Sequence, residues 1–136
     1  MSSEPLFTRR FFGLWAFAFV TFFSAFQLLP AIPFRIMELG GSKATAGWFL
    51  TVYTFASAFA APVMGTIADH VGRKRLLMIA SALFIVFSLL YGFVTSIPFL
   101  LLIGVVHGSL WSALLSSASA IMSDYIPISR RTEGLA

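Results

Sequence analysis

Apolar and charged positions in this chain separate into long blocks. Phe11 to Phe34 contains no Asp, Glu, Lys or Arg, and neither does Ala44 to Ala68. Leu76 to Ser123 is charge-free over 48 residues. As one helix that run would measure about 72 Å at ~1.5 Å per residue, more than twice a bilayer core of about 30 Å, so it must hold two spans. Thr95, Ser96 and Pro98 mark the hairpin between them, since proline and small polar residues punctuate helices. The pattern predicts an all-α integral membrane chain with four transmembrane helices, near 10–34, 45–69, 75–94 and 98–123. Residues 1–9 form an N-terminal tail.

Composition agrees with a membrane chain. Of 136 residues, 59% are hydrophobic and 10% charged, and the mean hydropathy is +0.94. Ordinary soluble domains carry about 25% charged residues. There is no cysteine, which excludes disulfides and thiolate metal sites. The run after Arg9 and Arg10 exceeds the ~7–15 apolar residues of a signal peptide.

The cations then fix an orientation. Arg9, Arg10, Arg73, Lys74, Arg75, Arg130 and Arg131 fall on one side of the four spans, and Arg35 and Lys43 on the other. The excess of positive charge belongs to the cytoplasmic face, so both termini are expected there. The basic balance is then a topology signal, and no nucleic-acid partner is expected.

Between the second and third spans lie Gly65, Asp69, Gly72, Arg73, Lys74 and Arg75, all within eleven residues. This arrangement resembles the loop motif between helices two and three of major facilitator superfamily transporters. Gly65, Asp69, Gly72, Arg73 and Lys74 match the pattern, and His70 stands where the family has a cation. Asp124, Pro127, Arg131 and Gly134 resemble the family's segment after helix four. The stretch from Leu29 to Pro33 is similar to the end of its first helix, and the one from Leu39 to Ser42 to its first external loop. The resemblance implies that the chain holds the first four helices of a twelve-helix transporter, within the N-terminal six-helix half. The remaining helices would be partners absent from this chain.

The resemblance also implies a gate. Asp69 would face a helix of the second half, and Arg73 would pair with Asp124. Gly72 would permit the turn. Gly47, Thr51, Thr54, Ala58, Ala61 and Gly65 recur at threes and fours, which places small residues on one helical face and predicts close helix packing there. Asp69 continues that stripe. In the last span Gly104, Gly108, Ser112 and Ser116 form a second one.

The family's helices one and four help line its central cavity. Gln27 in the first span, with His107 and Trp111 in the fourth, are therefore the expected substrate contacts. Histidine titrates near neutral pH, and tryptophan offers a flat face to aromatic or cationic ligands. Most of the sixteen phenylalanines are expected to face lipid or to anchor at the interface. Proton coupling is possible through His107, but the spans hold no acid, and Gly104 stands where some exporters of the family carry an arginine.

The expected activity is secondary transport of a small organic solute by alternating access, in the direction of export. Two other readings remain at this point: a membrane scaffold, or a self-contained four-helix exporter acting as a dimer. The sequence carries no Gly-x-Ser-x-Gly, His-Glu-x-x-His or phosphate-binding glycine loop, so no enzyme and no cofactor is expected.

Overall fold

A computed structural model describes residues 8–126. It consists of four helices, α1 (Arg9–Glu38), α2 (Lys43–Val71), α3 (Arg73–Phe93) and α4 (Ile97–Tyr125). Each is long and apolar enough to cross a membrane. Short connections turn each helix back on the one before it. The α2–α3 turn is a single residue, Gly72, with φ of 97°. That left-handed geometry is open to glycine and strained for other residues.

Helix α1 runs beyond the expected end near residue 34. Pro30 and Pro33 lie inside it, and it ends only at Glu38. Proline removes a backbone donor, but within a membrane protein neighbouring helices can hold such a helix together. Here Ile32 and Ile36 supply that hold. Both are buried in a cluster with Ala46, Phe49, Tyr53, Tyr91, Leu100 and Ile103. A second cluster, nearer the Arg73 end, gathers Ala25, Ala68, Leu76, Leu77, Ala80, Phe84, Ala113 and Leu114.

The tightest seam joins α2 and α4. Gly104 lies against the ring of Phe49, and Gly108 lies against the backbone of Tyr53. Both contacts pair residues 55 apart in the same order, so the two helices run parallel. In lipid, helices associate by van der Waals contact, and glycine lets backbones approach closely. The second small-residue stripe is therefore a packing face, as its spacing predicts.

The first stripe behaves differently. Gly47, Thr51, Thr54, Ala58 and Ala61 are exposed in this chain, and a Cβ added at Gly47 or Gly65 would meet nothing within 4 Å. The buried face of α2 is instead Ala46, Phe49, Tyr53 and Ala68. The physical reason is complementarity. The small residues of α4 receive the large residues of α2, so small does not pack on small. Outward faces of all four helices carry large apolar side chains such as Trp15, Phe23, Phe59, Ile85 and Phe99. Several hydroxyls along the spans bond within their own helix: Thr21, Ser24, Ser81, Ser88 and Ser109 each donate to the carbonyl four residues back, while the buried Ser117 hydroxyl has no partner among the described residues.

Candidate functional site

Three charged side chains meet where α2, α3 and α4 reach one end of the bundle. The Arg73 guanidinium donates to Asp124 at 2.8 Å and lies 3.6 Å from Asp69. Each charge is badly placed for its own helix. Asp69 and Asp124 sit at helix C-termini, where the dipole is negative, and Arg73 opens α3, where it is positive. Together they compensate one another. Arg73, in the first turn after Gly72, thus ties the ends of three helices with one group. All three remain in contact with solvent, so the link is strongest at low salt.

The other motif residues have simpler surroundings. Lys74 is exposed and pairs with no carboxylate among the described residues. His70 bonds through Nδ1 to the Thr66 carbonyl of its own helix at 2.8 Å. Gly65 faces open space in this chain. Arg131 and Gly134 lie outside the described residues.

The structure does not bring Gln27, His107 and Trp111 together. Gln27 is exposed on α1. His107 is buried within the bundle, 1% exposed, with its ring centroid 4.0 Å from that of Phe84. Its Nδ1 lies 3.2 Å from the Tyr91 hydroxyl, and Tyr53 approaches it edge-on. Its Nε2 is buried with no partner among the described residues. His107 is thus a packed residue of these four helices, whereas Gln27 faces outward from them. In a span that is apolar all round, polarity does not say which face turns inward.

Trp111 alone of the three lines a cleft. It meets Phe22 of α1 edge-on at 4.9 Å. The cleft, of about 460 Å³, lies between α1, α2 and α4. Phe26, Tyr53, Thr54 and Ser57 contribute to its walls. An aromatic, mostly apolar surface with a few hydroxyls suits an uncharged or cationic organic molecule. Sequence reasoning missed Thr54 and Ser57 as cleft residues. Thr54 was visible only as a member of the small-residue stripe, and that stripe borders the cleft through Thr54 and Ala58. Among the described residues no group of His, Asp or Glu could hold a metal ion.

Comparison with known proteins follows the same lines. The chain is 28% identical over 106 residues to the multidrug export protein EmrB of Haemophilus influenzae, covering 78% of this chain and 21% of that protein. It is 32% identical over 106 residues to the efflux pump dotC of Dothistroma septosporum, covering 78% of this chain and 17% of the pump. With the fatty acid resistance protein FarB of Neisseria gonorrhoeae it shares 28% identity over 101 residues, which is 74% of this chain and 20% of FarB. The chain thus spans about a fifth of the length of these relatives. No solved structure matches it. The sequence pattern of the Major Facilitator Superfamily matches residues 14–136, nearly the whole length, and the chain belongs to that family.

Proposed function

We propose that this chain is part of a secondary transporter that exports a small organic solute by alternating access. The observation that carries the reading is the Arg73 link. It joins α2, α3 and α4 at one membrane face through charges that are each unfavourable alone. Such a group can favour the state closed at that face. The cation excess supports a cytoplasmic position for that face. Family membership and relatives named for multidrug export, efflux and fatty acid resistance support the direction and the class of solute.

The cleft beside Trp111 is the corresponding substrate surface. Thr54 and Ser57 would give its polar contacts, and Phe22 and Trp111 its stacking faces. Coupling to protons fits this reading, with His107 the titratable group inside a span.

Asp69→Asn in the complete transporter tests the latch. Reconstituted in liposomes with ethidium as the probe, the variant should shift the balance of open and closed states and change the rate of export. A distance reporter across the cation-rich ends would follow the balance. Unchanged flux together with an unchanged balance would refute the latch.

A further inference from the structure

The ends of α1, α3 and α4 that hold Arg73 enclose a second cleft, of about 440 Å³. Its charged rim is Arg10, Arg73, Lys74 and Asp124. Arg73 is already committed to two carboxylates. Arg10 on α1 and Lys74 on α3 are exposed and have no ion-pair partner among the described residues. Two cations with no carboxylate partner among the described residues therefore stand on the α1 and α3 walls of one cleft, at the level where helices leave the membrane.

Below the rim the walls become apolar. Leu14, Phe17, Leu77 and Ile121 line them. Phe17 also lines a further cleft, of about 380 Å³, that continues between α1 and α3 to Leu28 and Leu89. The two clefts share that residue and follow one face of α1 and one of α3 as a groove, in which the hydroxyls of Thr21, Ser24, Ser81 and Ser88 donate to their own helix backbones and leave a mostly apolar wall. From Leu14 to Leu28 it runs roughly 21 Å at ~1.5 Å per residue, more than the ~15 Å depth of one leaflet.

We propose that this groove binds an anionic phospholipid. The headgroup phosphate lies between Arg10 and Lys74, and an acyl chain follows α1 and α3 past Phe17. Basic pockets between helices at a membrane surface attract anionic headgroups. A free phosphate would use the rim and leave the long apolar walls without a purpose. A zwitterionic lipid would leave one cation's worth of attraction unused. The proposal requires that the groove stay open to lipid in the complete protein, and it does not depend on the solute or on the direction of transport. A wild type that retains no phosphatidylglycerol selectively would also be the result if further helices of the protein covered the groove.

The test is native mass spectrometry of the intact protein released from nanodiscs that mix phosphatidylglycerol and phosphatidylcholine. Wild type should retain phosphatidylglycerol selectively. The double variant R10Q/K74Q should lose that preference by about thirtyfold, roughly fivefold per cation. The comparison variant R9Q/R75Q removes the same charge from the same face at residues that do not line the groove, and it should keep the preference. A circular dichroism melt confirms that each variant is folded. Equal loss in both double variants would mean a diffuse surface charge and overturn the site. So would equal retention of the two lipids by wild type, or displacement of phosphatidylglycerol by millimolar inorganic phosphate.

Discussion

Gly108→Ala should weaken the bundle more than any other glycine-to-alanine change in its spans. The added Cβ would fall inside van der Waals contact with the Tyr53 carbonyl oxygen, with the carbonyl carbon 3.0 Å and the Cα 3.2 Å away. All three atoms are backbone and cannot rotate aside. Helices α2 and α4 must part by about 1 Å, which loses contact along the whole seam. Overpacking of this kind costs about 1–3 kcal/mol. Alanine's better helix propensity offsets at most ~1 kcal/mol of that. Gly104→Ala meets the Phe49 ring at 3.0 and 3.2 Å, and a ring can turn, so its effect should be smaller. Gly92→Ala meets nothing within 4 Å and should be neutral or slightly stabilising. Unfolding in mixed micelles with increasing dodecyl sulfate, followed by tryptophan fluorescence and circular dichroism, would rank the three. If Gly108→Ala unfolds at the same detergent fraction as Gly92→Ala, the backbone seam is not what holds α2 to α4.

Other expectations follow from single contacts. Arg73→Gln should lower the melting temperature more than Asp124→Asn, because it leaves two carboxylates at helix C-termini. The difference should shrink as salt is raised, and a salt-independent difference would count against an electrostatic link. Tyr91→Phe should cost about 1–3 kcal/mol by leaving the buried His107 Nδ1 without its hydroxyl partner. Adding His107→Leu should recover most of that loss, and simple additivity in the same unfolding assay would refute the pairing. In the complete transporter Trp111→Ala should change discrimination between aromatic and aliphatic solutes in liposome flux. Unchanged kinetics for both would remove the cleft between α1, α2 and α4 as the solute surface.

The spans and the loop motif were legible because charge is nearly forbidden in hydrocarbon. Charge-free runs bounded by Arg10 and Arg35, Lys43 and Asp69, and Arg75 and Asp124 are therefore readable without any fold. Which face of a span turns inward is a different matter. Lipid is as apolar as a helix core, so burial leaves no polarity signature. The stripe from Gly47 to Gly65 and the one from Gly104 to Ser116 look alike in sequence. Only the second is buried in this chain, since Phe49 and Tyr53 seat against it. The same ambiguity hides that His107 packs against Phe84 and Tyr91 within these four helices. The end of α1 was misplaced for another reason. The charge-free run stops at Phe34, and tertiary contacts of Ile32 and Ile36 carry the helix past Arg35 to Glu38.

The parallel seam also restricts how α2 and α4 can move. Sliding α4 by one turn in one direction would bring Leu100 onto Phe49. Sliding it in the other would bring Ser112 onto the Tyr53 carbonyl. Either shift gives up one of the two seats that glycine provides. The pair therefore has one register. Any large motion of this half of the bundle must carry α2 and α4 as a single plate that tilts. The freedom to adjust is left to α1, which borders open clefts against α2, α3 and α4.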